Sequence, residues 1–203
     1  MNTDEQRQGM QTRMIHGAHT ANDTTAVSPP IFQTSTFVLP TPEEGANLAE
    51  QVAPAMYYTR YGSPNTKQVE ALLTKLEGSA AALAVGSGMA AITTAILANV
   101  RAGDHVIAQH THYTATMSLL AQTLPRYGIT VTQVDQRDTT AFAQAVRPNT
   151  KIIYTESPTN PTMDLTDLRA TAEIAHAAGA LAITDNTFAS SITSARLIWA
   201  MIW

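Results

Sequence analysis

An acidic residue and an amide residue each lie just beyond a short apolar segment of this chain. Asp185 follows Ala180–Ile183, and Asn160 lies in the polar turn after Ile152–Tyr154. Both segments are typical of strands buried on two faces, and apolar residues at helical spacing lie between them, so residues 151–187 are predicted to form a β-α-β unit. The loops after parallel strands meet at one edge of the sheet, where ligands bind. Asp185 could therefore pair with a protonated ring nitrogen, although a lone aspartate in an ordinary loop is the simpler interpretation.

A glycine-containing turn has the composition of a phosphate-binding site. Ser87, Gly88 and Met89 lie between Ala80–Val85, which is predicted to be a short buried strand, and a helix that is expected to run to about Val100. Glycines at such a junction allow backbone N–H groups to approach a phosphate at the positive end of the helix.

The same turn also fits the pattern Gly-x-Gly-x-x-Ala of dinucleotide-binding proteins. That fingerprint requires an acidic residue about 20 positions further on, at the end of the next strand. The next predicted strand, His105–Ala108, is followed by Gln109 and His110 instead. The sequence therefore disfavours a dinucleotide-binding oxidoreductase but leaves it as an alternative.

Two further loops carry aromatic side chains. Residues 57–65 place three tyrosines around one arginine, Arg60. A guanidinium group matches a phosphate through two parallel hydrogen bonds, so Arg60 and the nearby Tyr58 could bind an anion; in the alternative interpretation the tyrosines only pad the core. Tyr113 follows the strand predicted at 105–108 and is expected at the same sheet edge as Asp185. There it is either a surface tyrosine or a flat ring that stacks on a flat ligand.

The composition limits the functional classes. The chain has 203 residues, of which 44% are apolar and 14% charged, as expected for one globular domain. A net charge of -4 gives no basic surface for nucleic acid or an anionic membrane. The absence of cysteine excludes disulfides, thiolate metal sites and a cysteine nucleophile, and the histidines lack the spacing of metal ligands. The sequence contains no secretory leader pattern and no run of about 18 apolar residues, so a cytoplasmic location is expected.

Four motifs occur in a characteristic order and spacing: YYTRYGSPN, GSGMAAI, ESPTNP and TDNTFA. In this combination, over roughly residues 12–191, the chain resembles the Cys/Met-metabolism family of pyridoxal phosphate enzymes. That family includes cystathionine γ-synthases, cystathionine lyases, methionine γ-lyases and homoserine-ester sulfhydrylases. The resemblance implies an α/β fold with a mostly parallel sheet, the large domain of the aspartate-aminotransferase type (fold type I). It also implies trans-sulfuration: β- or γ-elimination, or γ-replacement, on a sulfur- or ester-bearing amino acid.

The resemblance implies that pyridoxal 5'-phosphate is bound by Tyr58, Arg60, Ser87, Gly88, Met89, Tyr113, Asn160, Asp185 and Thr187. Tyr58 and Arg60 would reach the cofactor of a neighbouring subunit, which implies a homo-oligomer such as a homotetramer. Tyr113 would stack on the cofactor ring and assist departure of the γ-group. Asn160 would lie near the phenolic oxygen and the substrate carboxylate, while Asp185, supported by Thr187, would keep the ring nitrogen protonated.

One residue that the family requires is missing. The chemistry needs a lysine that forms a Schiff base with the cofactor and moves protons. The chain contains only Lys67, Lys75 and Lys151; the first two fall on a helix predicted at 66–77, and the third opens a strand at the amino edge of the sheet. In the family, this lysine and a small C-terminal domain follow the point where the sequence ends. The chain by itself is therefore predicted to be inactive, with a non-catalytic remnant or subunit-interaction fragment as the alternative function.

The last residues depart from the family pattern. After Ser191 the sequence continues ITSARLIWAMIW, and codons can be chosen so that one restored base gives ITQRPLDMGYDM, which is close to the usual continuation. This similarity predicts a frameshift that truncated a longer enzyme, with an authentic short variant as the alternative. Three segments are thus expected: an extended N-terminal arm and lead-in at 1–50, a partial cofactor-binding domain at 51–192, and an unrelated apolar tail at 193–203.

The substrate is only partly constrained by the residues that follow Tyr113. Thr114 and Ala115 stand where methionine γ-lyases carry a glycine and a reactive cysteine. A methionine γ-lyase is therefore less favoured within the family, and both lyase and synthase activities stay open.

Overall fold

The structure, a computed structural model, describes residues 8–194 and, for the backbone alone, 201–202. The apolar tail and the frameshift predicted at 193–203 fall almost entirely outside these residues. The chain divides into two compact units, residues 1–84 and 85–203, which are described in turn. No helix in the described residues is long and apolar enough to cross a membrane.

The first unit is helical in its described part. It contains α1 (Met10–His16), α2 (Pro42–Glu50) and α3 (Pro64–Glu77), with a 3₁₀ turn at His19–Ala21. A capping box begins α3, because the Ser63 side chain accepts a hydrogen bond from the Thr66 N–H while Thr66 Oγ1 accepts one from the Ser63 N–H. Gly78 ends the helix at φ +66°, a conformation that glycine adopts at little cost.

The N-terminal arm differs from the extended conformation expected for it. The helix α1 lies against α3, and a Cβ on Gly17 would come within 2.9 Å of Leu72 Cδ1. A helix of seven residues is too short to be stable alone, so packing against α3 is what makes this segment helical. Sequence periodicity over so few residues carries no such signal.

Residues 80–85 do not form the predicted strand. Leu83 is 75% exposed and Val85 is 39% exposed, and no strand pairing in the described residues includes this segment. A strand needs a hydrogen-bonded neighbour, which a short apolar run does not supply by itself. The Ala84 N–H instead donates to Glu70 Oε1 at 2.8 Å.

The second unit is built on a parallel sheet. Its described strands are β1 (His105–Gln109), β2 (Thr130–Val134), β3 (Thr150–Glu156), β4 (Leu181–Asp185) and β5 (Met201–Ile202). They lie in the order β2-β1-β3-β4-β5, and every adjacent pair is parallel. The helices are α4 (Gly88–Leu97), α5 (Thr114–Ser118), α6 (Leu124–Arg126), α7 (Thr139–Gln144), α8 (Leu168–Ala177) and α9 (Ser190–Ser194), and a π-helical turn at Leu119–Thr123 joins α5 to α6. The predicted α/β fold with a parallel sheet is confirmed.

Helices cover both faces of this sheet. On one face, Val106 of β1 and Ile152 of β3 pack with apolar residues of α4 and of the α5–α6 segment. On the other face, Ile107 and Ile153 of the same strands pack with α7 and α8 around Phe142, which is fully buried. Adjacent strand residues point to opposite faces, so the middle of a strand that is buried on both sides is apolar at successive positions, as Val106–Ala108 of β1 and Ile152–Tyr154 of β3 are.

A buried histidine joins three strands at the amino edge of the sheet. His105 Nδ1 lies 2.8 Å from Thr150 Oγ1 on β3, and its Nε2 lies 2.8 Å from Thr132 Oγ1 on β2. Burial, together with the nearby positive charge of Arg147, lowers the pKa of His105 from 6.5 to about 4. A neutral ring can donate at one nitrogen and accept at the other, whereas the protonated ring must donate at both.

We expect His105 to make the stability of the fold depend on pH. Since the folded pKa is depressed, the unfolded chain binds more protons between pH 6.5 and about 4. The stabilisation contributed by the neutral His105 ring is complete above pH 6.5 and is lost as the pH falls toward 4. Over this range the free energy of unfolding falls by up to about 1.4 kcal/mol per pH unit. The free energy of unfolding, measured with urea at several pH values across this range, should change less steeply with pH in His105→Gln than in the wild type. His19→Gln, a change at an exposed histidine, is the control, and equal slopes in all three proteins would contradict the assignment.

Candidate functional site

Two carboxylates lie side by side at the carboxyl edge of the sheet. Glu156, the last residue of β3, is in register with Asp185, the last residue of β4, and both are buried. Asp185 Oδ1 accepts hydrogen bonds from the Thr187 N–H at 3.0 Å and from Thr187 Oγ1 at 2.6 Å. None of the described residues donates a hydrogen bond to Asp185 Oδ2, so Thr187 orients the carboxylate and leaves one oxygen available to a ligand.

The Glu156 carboxylate connects the loops after two strands. Its Oε2 accepts a hydrogen bond from the Tyr113 N–H at 2.9 Å, and its Oε1 accepts one from the Asn160 N–H at 2.8 Å. Tyr113, Asn160 and Asp185 are thus brought to one edge, as the strand pattern predicts. Glu156 itself is not among the site residues predicted from the sequence, although an acid that directly ends a buried strand is a signal that could have found it.

Glu156 is ionised more readily than an ordinary glutamate. Burial alone would raise its pKa, but the approach of His112 and the N–H groups of Tyr113 and Asn160 lower it below 4.5. His112 Nδ1 lies 3.6 Å from Glu156 Oε2, which is an ion-pair distance rather than a hydrogen bond. Beneath the site, burial and the charges of Asp185 and Glu156 raise the pKa of the Tyr154 phenol well above 10, so Tyr154 is neutral.

A glutamine side chain holds the end of β3 in place. Gln109 is fully buried, and its Nε2 donates to the carbonyl oxygens of Thr111 at 2.8 Å and Glu156 at 2.9 Å. Its Oε1 accepts from the Glu156 N–H at 3.0 Å and from Thr166 Oγ1 at 3.1 Å. The backbone pairing of β1 with β3 ends at Ala108 and Tyr154, so the Gln109 amide takes the place of the next peptide group.

The glycine turn leads into α4. Ser87 caps the helix by accepting a hydrogen bond from the Ala90 N–H at 3.1 Å. The N–H groups of Gly88 and Met89 occupy the first two helical positions, which have no partner within an α-helix. A Cβ at Gly88 would meet no atom within 4 Å, so the turn is open to a ligand. Thr116 Oγ1, in α5, lies 3.7 Å from Met89 Sδ, which places the turn beside the helix that follows Tyr113.

Tyr58 and Arg60 lie in the first unit. The Arg60 guanidinium carbon is 4.9 Å from the centre of the Tyr58 ring and 5.5 Å from that of Tyr61. Arg60 is exposed, and no carboxylate in the described part of the chain lies within ion-pair distance of it. The two rings orient the cation without neutralising it, so it keeps its charge for an anion.

The three lysines are placed as the sequence predicts. Lys67 and Lys75 lie on α3 of the first unit, and Lys151 is the second residue of β3. Lys151 lies five positions before Glu156 on an extended strand, which corresponds to about 16 Å, so Lys151 is at the amino edge of the sheet. Among residues 8–194, no group of three or more histidines and acids is arranged to hold a metal ion.

The sequence model of one protein family matches residues 11–199. This family is described as Cys/Met metabolism PLP-dependent enzyme, where PLP is pyridoxal 5'-phosphate. The chain belongs to this family. An L-methionine γ-lyase of Porphyromonas gingivalis is 45% identical over 91% of the chain and 47% of that protein. A cystathionine γ-lyase of Bacillus subtilis is 42% identical over 88% of the chain and 45% of that protein.

Solved structures of the family share the fold. The crystal structure of cystathionine γ-lyase from Lactobacillus plantarum, complexed with L-serine, matches with a TM-score of 0.79 and 38% identity. The match covers 91% of this chain and 46% of that protein. The chain spans about half the length of the curated relatives it matches.

The site in the second unit fits the cofactor of the family in its non-covalent contacts. Within the part of the chain that the structure describes, Asp185 Oδ2 accepts no hydrogen bond, as an acceptor for a protonated ring nitrogen requires. The N-terminus of α4 offers N–H groups to a phosphate over an open turn. Tyr113 is 46% exposed, so its ring is available for stacking. Lys151 is not placed to attach the cofactor covalently, because it lies at the opposite edge of the sheet.

Proposed function

We propose that this chain supplies the cofactor-binding half of a pyridoxal 5'-phosphate-dependent enzyme of sulfur amino-acid metabolism. The reaction is β- or γ-elimination, or γ-replacement, on a sulfur- or ester-bearing amino acid. The observation that supports this most strongly is the cluster at the carboxyl edge of the sheet. There one carboxylate, Glu156, holds Tyr113 and Asn160 beside a second carboxylate, Asp185, that keeps an open oxygen.

Each residue of the cluster has a role that follows from its chemistry. When bound, the cofactor supplies an electron sink for the negative charge that develops on the substrate. Asp185 accepts a hydrogen bond from the ring N–H at Oδ2 and thereby keeps that nitrogen protonated, while Thr187 holds the carboxylate at Oδ1. The N–H groups of Gly88 and Met89, with Ser87, bind the phosphate.

Tyr113 and Asn160 act on the other parts of the complex. The Tyr113 ring would pack on the face of the bound cofactor, and its hydroxyl would hold a proton for the departing γ-group. Asn160 presents its side-chain amide to the phenolic oxygen and the substrate carboxylate. Their common acceptor, Glu156, sets the distance between the two loops.

A second copy of the chain completes the phosphate site in this proposal. Arg60, oriented by Tyr58 and Tyr61 and unpaired with any carboxylate in the described residues, binds the phosphate held by the neighbouring subunit. The protein is therefore a homo-oligomer. The names of the relatives, methionine γ-lyase, cystathionine γ-lyase and cystathionine β-lyase, support amino acids with sulfur bonded to the β- or γ-carbon as substrates.

The covalent step is assigned to a residue outside this sequence. Lys151 cannot reach the carboxyl edge, and Lys67 and Lys75 belong to a helix of the first unit. We therefore propose that the 203-residue chain binds pyridoxal 5'-phosphate reversibly and does not catalyse the reaction.

Borohydride reduction tests this proposal directly. Titration of the chain with pyridoxal 5'-phosphate is expected to give saturable quenching of protein fluorescence, fully reversed by dialysis. Reduction with borohydride followed by peptide mass spectrometry is expected to show no stoichiometric adduct on a single lysine. Absence of saturable binding would overturn the cofactor site, and one stoichiometric adduct, abolished by Lys151→Arg, would overturn the assignment of the missing lysine.

The position of Lys151 at the amino edge of the sheet also supports a second candidate function, a cofactor-holding or subunit-binding fragment without catalysis. Both candidates predict that the chain forms no 2-oxo acid from a sulfur amino acid above the level given by free pyridoxal 5'-phosphate, and formation above that level would overturn the assignment of the covalent step to a residue outside this sequence. A dinucleotide-binding function has no support, because Gln109 stands where its acid would lie and uses both ends of its amide to hold β3.

A further inference from the structure

The two oxygens of the Glu156 carboxylate serve two different loops. Oε2 accepts from the Tyr113 N–H at 2.9 Å, and Oε1 accepts from the Asn160 N–H at 2.8 Å. The side chain is buried, so water does not compete for these oxygens. The carboxylate therefore sets the separation between the residue that follows β1 and the residue that follows β3.

The loop after β1 has few other restraints at Tyr113, whereas the loop after β3 is also held at Thr159, whose hydroxyl accepts a hydrogen bond from the Asp164 N–H at 2.9 Å. Tyr113 precedes α5 with no side-chain hydrogen bond that caps the helix, and α5 itself has only five residues. The Tyr113 ring is nearly half exposed, so core packing does not fix it. Its position depends on where the backbone N–H is held.

The carboxylate is not needed to hold its own strand. The Glu156 backbone is bound by the Gln109 amide on one side and lies in register with Asp185 of β4 on the other. A change confined to the carboxylate thus leaves the strand connections intact while it releases the loops. This separates the effect on the site from the effect on the fold.

We infer that Glu156 is a positioning residue, which holds Tyr113 and Asn160 at the spacing that a flat cofactor between them requires. The inference rests on the function proposed above. Ionised, the side chain accepts from both N–H groups at once; a glutamine side chain at this position has one oxygen and one NH₂ group, so it can accept from only one of them.

The groups around this carboxylate favour its ionised form. His112 precedes Tyr113 and approaches Oε2 at 3.6 Å, and the neutral Tyr154 phenol lies on the same strand beneath it. Asp185, the neighbouring acid on β4, acts in the opposite sense, but His112 and the two N–H donors outweigh it. At neutral pH Glu156 therefore accepts at both oxygens.

The test compares the wild-type chain with Glu156→Gln, using pyridoxal 5'-phosphate itself as the probe. Two quantities are measured: the dissociation constant from fluorescence quenching, and the circular dichroism induced in the cofactor absorbance band per bound molecule. The dissociation constant is expected to rise about tenfold, as for loss of one charge-assisted hydrogen bond, and the induced signal to fall. The melting temperature of the cofactor-free chain should stay close to that of the wild type. Glu173→Gln, the same change at an exposed position of α8, should alter none of these quantities.

Unchanged affinity and unchanged induced dichroism in Glu156→Gln would overturn the inference and leave the proposed function standing. If the variant does not fold, or if the wild type does not bind the cofactor, a titration of the wild-type chain by nuclear magnetic resonance decides. The amide protons of Tyr113 and Asn160 are expected to shift together, with one common midpoint below 4.5, as Glu156 takes up its proton. Separate midpoints, or no shift at either amide, would overturn the inference. Failure of cofactor binding with a common midpoint would overturn the proposed function and the link between Glu156 and the cofactor, while Glu156 would stand as the residue that holds the two loops.

Discussion

Asp185→Asn is expected to weaken binding of pyridoxal 5'-phosphate by about 10- to 100-fold, which corresponds to loss of a hydrogen bond with a charged group. Asparagine keeps the size of the side chain, and its oxygen can still accept from Thr187. The NH₂ group then takes the place of Oδ2 and faces the N–H of a protonated ring nitrogen, so two donors meet. The variant should also shift the cofactor absorbance, because the ring nitrogen loses the partner that keeps it protonated.

The measurement is a fluorescence titration of the two proteins under the same conditions. Asp23→Asn, which changes an exposed aspartate of the first unit, is the matched control and should bind the cofactor as the wild type does. If Asp185→Asn bound with the affinity of the control, Asp185 could not be the partner of the ring nitrogen.

Gln109→Leu is expected to lower the free energy of unfolding by about 3–6 kcal/mol. Leucine is close to glutamine in size but has no polar atoms, so four groups lose a buried partner, at about 1–3 kcal/mol for each that finds no replacement. They are the Glu156 N–H and carbonyl, the Thr111 carbonyl and the Thr166 hydroxyl. This is a large share of the 5–15 kcal/mol that is typical of folded proteins.

Urea unfolding measures the effect, with Gln144→Leu as the control at an exposed position of α7. A loss no greater than that of the control would mean that the end of β3 is held by other contacts. Because Gln109 also fixes the backbone of Glu156, the cofactor affinity of any folded Gln109→Leu protein should fall together with its stability.

The local pattern of the chain predicts the second unit well. The apolar segments at 105–108, 152–154 and 180–183 are all strands, and Gly179 ends α8 with φ +67°, as glycine can. Strands buried on both faces must be apolar at successive positions. This pattern can be recognised in the sequence without knowing which strands lie beside each other. The order of loops along a parallel sheet then places Tyr113, Asn160 and Asp185 at one edge.

The same reasoning fails where a segment depends on a distant partner. Residues 80–85 have the composition of a buried strand but pair with no strand among the described residues, and α1 is helical although its sequence suggested an extended arm. A short apolar run indicates only that burial of that segment is favourable. Which surface buries it, and in which backbone conformation, depends on chain that is remote in sequence.

The sequence by itself determined the fold class and the family, through the order and spacing of four motifs. It also determined that no lysine follows the strand-end acid within this chain. Only the tertiary structure decided how the site is held together. Gln109 lies 47 residues from Glu156, and Glu156 lies 43 residues from Tyr113, so neither contact has a local signature. These hydrogen bonds form because the sheet places the ends of β1 and β3 side by side.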